Sequence, residues 1–167
     1  MRGFGVLGNL AGHLERQQFV PRPRSEIFAF FANAANLEAL TPEFLQFHIL
    51  TPSPIVMRSG TLIDYQLKLF GIRFQWRTLI ESFEPEARFV DIQITGPYRR
   101  WHHVHEFKEV PGGTLIVDRV DYEMPLGSLG HIAHWLSVRW SLKQVFDYRE
   151  TKIRELFGDR AAATIAS

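Results

Sequence analysis

Between positions 63 and 81 the chain twice alternates apolar with polar residues. Ile63, Tyr65, Leu67 and Leu69 are separated by Asp64, Gln66 and Lys68, and Phe74, Trp76, Thr78 and Ile80 are set against Arg73, Gln75, Arg77 and Glu81. A period of two sends successive side chains to opposite faces of a strand, so each run predicts a strand with one wet face. Phe70 and Gly71 supply a hairpin turn between the two. The pattern continues downstream: EPEA introduces RFVDIQIT, GPYR introduces the strand WHHVHEF, and VPGG introduces TLIVDRVDYEMP. Short connections of this kind predict an antiparallel meander.

Two other stretches carry helical signals. In PRPRSEIFAFFANAANLEALTP, proline, Ser25 and Asn33 are helix-start residues and Pro42 is a stop, which predicts two short helices broken near Asn33. Ahead of them HLERQQFV predicts a first strand. After Pro125 and Gly127 a stretch without proline ends at Gly158, and Ile132, Trp135, Leu142, Phe146, Ile153 and Phe157 form one stripe at three- and four-residue spacing. This predicts one long terminal helix. Residues 1–14 are expected to form a loose extension, 15–158 a single ligand-binding domain, and 159–167 a fraying tail.

Composition narrows the function classes. With 167 residues, 46% hydrophobic and 13% aromatic, the chain is able to bury a useful core. Nineteen basic against eighteen acidic side chains leave no excess charge for a phosphate backbone, so nucleic acid is not an expected partner. Without cysteine there are no disulfides, thiolate metal sites or thiol nucleophiles, and a reducing cytoplasm is the expected location. No apolar run approaches the roughly 20 residues of a membrane span. A Gly-rich phosphate loop, a serine nucleophile elbow and a dinucleotide fingerprint are all missing from the sequence.

The segments PRPRSEIFAFFANAANLEALTP, GPYRRWHHVHEF and DRVDYEMPLG, with FDYR in the closing helix, are similar to the START-like or helix-grip superfamily, also called SRPBCC. The similarity covers roughly Glu15 to Phe157. It implies an α+β helix-grip (START-like) fold, a curved antiparallel β-sheet wrapped around a long C-terminal helix with two short helices after the first strand. It also implies a ligand cavity between sheet and helix. Members of this superfamily include carriers, binders and enzymes, so activity does not follow from the fold.

Candidate chemistry centres on residues 101–107. Trp101, His103, His105 and Phe107 share one strand face and His102, Val104 and Glu106 the other, so the histidines make a pair and not a trio. Asp91 and Gln93 on one neighbouring strand, and Asp118 and Tyr122 on the next, are candidates to surround the same cavity. Histidine beside a carboxylate suits general acid–base work near neutral pH. A metal needs at least three protein ligands; His-x-His supplies two, Asp91 or Asp118 would have to be the third, and no HExxH spacing is present. No metal and no cofactor are therefore expected.

On the helix, Trp135, Arg139, Leu142, Phe146, Arg149 and Ile153 follow alternating steps of four and three, which puts Arg139 and Arg149 on or beside the buried stripe. Such an arginine either lets its head escape to solvent or pairs with Asp91, Asp118 or a ligand acid. The expected ligand-binding set is Tyr65, Trp76, Asp91, Gln93, Trp101, His103, His105, Asp118, Tyr122, Trp135, Arg139, Leu142 and Phe146. The expected function is intracellular binding or transport of a small apolar or aromatic molecule or lipid. The alternatives are a polyketide cyclase/dehydratase-type enzyme, with catalytic candidates His103, His105, Asp91 and Asp118, and a protein interaction module with a vestigial cavity.

Overall fold

The structure, a computed structural model, describes residues 11–69, 71–124 and 131–158, with side chains from 137 onward in the last stretch. Strand β1 (Ala11–Val20) alternates exposed and half-buried positions along its length. It begins ahead of the expected boundary at residue 15, since Ala11 to Leu14 pair with Glu123 to Val120 of the last strand. The glycine at 12, which looks like a loosening residue in the sequence, lies opposite Tyr122, and a Cβ there would stand 2.2 Å from the tyrosine ring. Close cross-strand approach, and not flexibility, explains it.

Helix α1 (Arg24–Phe31) is capped by Pro23 and not by Ser25, which lies in its first turn. Proline has no N–H to leave unsatisfied at a helix start. At Asn33 the side chain accepts the Ala35 N–H at 3.1 Å and opens a 3-10 turn, Ala34–Leu37. Pro42 ends that segment, but a second 3-10 turn, Glu43–Leu45, follows it and closes on Gln46 in the left-handed region.

The chain then runs through β2 (His48–Ile49), β3 (Leu62–Leu69), β4 (Ile72–Glu84), β5 (Arg88–Thr95), β6 (Arg100–Val110), β7 (Gly113–Glu123) and helix α2 (His131–Phe157). The sheet order is β1-β7-β6-β5-β4-β3-β2, all antiparallel, so the meander is closed at one end by the return of β1 beside β7. Register shifts at Arg77/Thr78 and Ile80/Ser82 interrupt the pairing of β4 with β5. The second changes the phase of β4: Trp76, Thr78 and Ile80 are buried, and beyond the shift Phe83 packs on Phe28 and Phe89. Bulges of this kind bend a sheet, as a sheet gripping a helix requires.

Helix α2 is tied to β1 and its end by polar contacts at the rim. Gln18 donates to the Glu150 carbonyl at 2.9 Å, Arg16 meets Asp147 at 3.3 Å, and Arg22 donates to the Phe157 carbonyl at 3.3 Å, a cation at the helix C-terminus. Beneath them the apolar side chains divide into three clusters. Phe28, Phe31, Phe89, Phe107, Ile153 and Phe157 gather at the α1 end. Trp76, Tyr98, Val120, Tyr122, Leu142 and Phe146 gather at the other, and Ala34, Ile63 and Ile80 form the third. Among the described residues no helix is long and apolar enough to cross a membrane.

Candidate functional site

The three clusters do not merge completely, and a cavity of about 190 Å³ lies between them. Its walls are Phe30, Phe31, Leu37 and Leu40 from α1 and the turn after it, Ile63, Tyr65 and Leu67 from β3, Trp76, Thr78 and Ile80 from β4, and Leu142 and Val145 from α2. Tyr65 stacks on Trp76 with centroids 5.7 Å apart, and Trp101 meets Trp76 edge-on at 5.3 Å. Charged residues reach the wall at Asp91, His103, His105 and Arg149. Phe107, at the end of the same face of β6, completes the α1 cluster.

Pairing across the sheet assembles the charged group. Asp91 stands opposite His103 in the β5–β6 register, and Asp118 opposite His105 in the β6–β7 register. His103 and His105 are 6% and 4% exposed, and Asp118 is 5% exposed. His105 Nε2 is 2.7 Å from Asp91 Oδ2, and its Nδ1 is 2.9 Å from Asp118 Oδ1. His103 Nε2 is 3.0 Å from Asp118 Oδ1, and its Nδ1 is 3.5 Å from Asp91 Oδ2. The two rings lie with centroids 3.7 Å apart. Arg149 brings its Nη2 to 3.6 Å from Asp118 and sets its guanidinium over the Phe31 ring at 4.9 Å.

Protonation follows from these distances. Carboxylates stand 2.7 and 2.9 Å from the two ring nitrogens of His105, an arrangement that favours its protonated form. Burial pushes the His105 pKa down, but the bonds and charges of Asp118 and Asp91 outweigh it and the pKa is raised. For His103 burial prevails, reinforced by the neighbouring charge of His105, and its pKa is lowered despite the two carboxylates. Burial also pushes Asp118 up, yet Arg149 and the two histidines hold it well below the usual carboxylate range. In the same way His103, His105 and the Trp101 indole together hold Asp91 down against burial. Two carboxylates thus face one guanidinium and two imidazoles whose pKa values are shifted in opposite directions. Arg149 Nη2 also stands 3.3 Å from His105 Nδ1. The guanidinium donates to this nitrogen when it is unprotonated, and turns to the Asp118 oxygen beside it at 3.6 Å.

The expected residues divide into those on the cavity wall and those behind it. Tyr65, Trp76, Asp91, Trp101, His103, His105 and Leu142 line it. Asp118 does not; it sits behind the histidines and orients them. Phe146 also lies behind, 5.7 Å from the His103 ring, and Tyr122 belongs to the core beside Tyr98. Gln93 is a correction: its amide donates to the Tyr98 carbonyl at 2.7 Å and accepts the Tyr98 N–H at 3.2 Å, which shapes the β5–β6 turn. Arg139 is a second correction, since it is exposed next to buried Val138. The buried stripe runs Val138, Leu142, Phe146, Ile153 and Phe157, and Arg139 falls one position off it. The side chains of Trp135, His131 and His134 lie outside the described residues.

His102 turns away from the cavity toward Glu81, at 3.5 Å. Tyr98 was not expected in the site and is buried on the cavity wall. An aromatic residue inside a turn sequence such as GPYR is its only sequence signal. Two polar atoms at the wall have no hydrogen-bond partner among the described residues: the Trp76 indole nitrogen and Arg149 Nε, both buried. Each is a donor aimed at no acceptor.

The fold is shared with several solved structures. A Zhui aromatase/cyclase from Streptomyces sp. R1128 superposes with a TM-score of 0.71 at 13% identity, over 92% of this chain and 98% of that one. A protein from Thermus thermophilus gives 0.66 at 13% identity, over 87% and 99%. The nucleoside-diphosphate sugar epimerase from Corynebacterium glutamicum gives 0.62 at 26% identity, over 85% of this chain but 28% of that one, so this chain spans a minor part of the epimerase. No curated protein matches the chain by sequence. The family model that describes polyketide cyclase/dehydrase and lipid transport proteins matches residues 20–148, and the chain belongs to that family.

Proposed function

We propose that the chain binds a small, ring-sized apolar molecule whose single polar group meets Asp91, His103 and Arg149. The observation that carries this reading is the cavity: its walls are mostly aromatic and aliphatic, and its charges are gathered in one cluster. Size narrows the ligand class. A dry cavity of about 150 Å³ admits benzene, and about 190 Å³ here accommodates one or two fused rings in place of a two-chain lipid. The orphaned donors of Trp76 and Arg149 favour a ligand oxygen that accepts hydrogen bonds.

Calorimetric titration with 2-naphthol tests this. Saturable binding at one site per chain is expected, together with quenching of the tryptophan fluorescence from Trp76 and Trp101. Heat of dilution alone, at ligand concentrations up to the solubility limit, would sink the proposal.

A second reading, proton-transfer catalysis of the cyclase or dehydratase type, is supported by one specific observation. His103, with its pKa lowered by burial, stands at the cavity wall beside His105, whose pKa Asp118 and Asp91 raise. A base and an acid with separated pKa values are what enolisation of a ring-sized ketone requires. Solvent deuterium entering the acidic C–H of 2-tetralone, faster with the chain than with buffer and lost in His103→Gln, is the result expected of an enzyme.

A further inference from the structure

Each imidazole in the cluster offers one nitrogen to Asp118 and the other to Asp91. His103 gives Nε2 to Asp118 at 3.0 Å and Nδ1 to Asp91 at 3.5 Å; His105 gives Nδ1 to Asp118 at 2.9 Å and Nε2 to Asp91 at 2.7 Å. Asp118 can therefore hold an N–H of each ring, and the other nitrogen of each ring, once it gives up its proton, turns a lone pair toward Asp91. Metal-ligating histidines are held in just this way, with the ring N–H away from the metal donated to an orienting carboxylate. One ligand atom from each of Asp91, His103 and His105 lies within 4.8 Å of the others.

We propose that Asp91, His103 and His105 form a binding site for a divalent transition-metal ion, with Asp118 as the positioning carboxylate. Sequence spacing supplies only two ligands, and the third comes from the adjacent strand through the Asp91–His103 register. Two imidazoles and one carboxylate, in a chain without cysteine, suit zinc or ferrous iron better than calcium or magnesium, which prefer all-oxygen shells. Ligands about 2.0 to 2.2 Å from a common ion stand roughly 3 Å apart, and His105 Nε2 and His103 Nδ1 lie 2.7 and 3.5 Å from Asp91 Oδ2.

Asp118 is not a fourth ligand: it lies off the cavity wall and is engaged by Arg149. The ion takes the place of the proton between Asp91 and His105. Its open positions face the cavity, which would make the polar group of a ring-sized ligand a metal ligand. In that clause alone the inference rests on the proposed cavity function.

The experiment is titration of the chelator-treated full chain with Co²⁺, followed by its visible d–d bands, and with Zn²⁺ by calorimetry. One ion per chain is expected. His103→Gln, His105→Gln and Asp91→Asn should each weaken binding by about 100-fold or more, and Asp118→Asn by about 10- to 100-fold. His102→Gln and His13→Gln should leave it unchanged. Far-UV circular dichroism establishes that each variant is folded.

Nuclear magnetic resonance of the wild-type chain asks the same question without a variant: Zn²⁺ should shift the ring resonances of His103 and His105 and leave those of His13, His48 and His102 in place. Absence of saturable binding, or binding that survives both histidine substitutions, overturns the site. 2-Naphthol titration of the metal-free chain separates the two ideas, because its failure would remove the cavity reading while metal binding stood.

Discussion

Arg149 approaches Asp118 at 3.6 Å from the opposite layer of the molecule, a helix guanidinium meeting a sheet carboxylate behind the cavity. Both side chains are buried, at 12% and 7% exposure. Breaking a buried pair leaves an uncompensated charge, which costs about 3 to 5 kcal/mol. Arg149→Met should therefore lower the unfolding free energy by about that amount in urea denaturation. Removing the cation also takes a positive charge away from the two carboxylates, so the same substitution should raise the pKa of His103. A variant as stable as wild type, with His103 unchanged, would show the pair to be incidental.

The two histidines should titrate apart in the metal-free chain. His105, with its pKa raised, keeps its proton above the ordinary value of about 6.5, and His103, with its pKa lowered, stays neutral below it. The stability contributions have opposite signs. That of His105 is full below about 6.5 and is lost as the pH rises through its folded pKa; that of His103 is present above about 6.5 and is lost as the pH falls through its folded pKa. Ring-carbon resonances followed against pH measure the order directly. Reversal of that order would overturn the protonation scheme.

Filling the cavity separates a binding site from a packing defect. Ala34 is buried and lines the wall, so a larger side chain at that position is expected to take up cavity space. Overpacking a tight core costs about 1 to 3 kcal/mol, whereas filling a void is tolerated. Ala34→Leu should leave the melting temperature within a few degrees of wild type and abolish 2-naphthol binding. Undiminished affinity would place the ligand somewhere else.

A two-residue period puts Trp101, His103 and His105 on one face, but which face of the strand turns inward was open until the sheet was packed against the helix. Asp91 and Asp118 were legible as partners but not in their separate roles, since register across three strands, and not spacing along one, puts Asp91 on the wall and Asp118 behind it. Periodicity assigns a face and says nothing of depth, which is why Tyr122 and Phe146 appeared to be wall residues. On the helix, three- and four-residue steps admit both Arg139 and Arg149, and only the sheet's position selects Arg149. Gln93 has an inward-compatible register but is taken by the Tyr98 backbone, a local hydrogen bond that no alternation pattern encodes.

His102 and His103 are adjacent in sequence and have opposite surroundings. His102 faces Glu81, which is half exposed, and the pair is a surface contact worth at most about 1 kcal/mol. His103 is buried and bonds Asp118, so its removal costs about 1 to 3 kcal/mol for the acceptor left behind, in addition to its share of ligand binding. His103→Ala should therefore weaken both stability and 2-naphthol affinity, while His102→Ala should change neither by more than about 0.5 kcal/mol. Circular dichroism melts and calorimetry on the two variants, side by side with wild type, read both quantities. If His102→Ala were the damaging change and His103→Ala the silent one, no arrangement of the β6 face described above would survive.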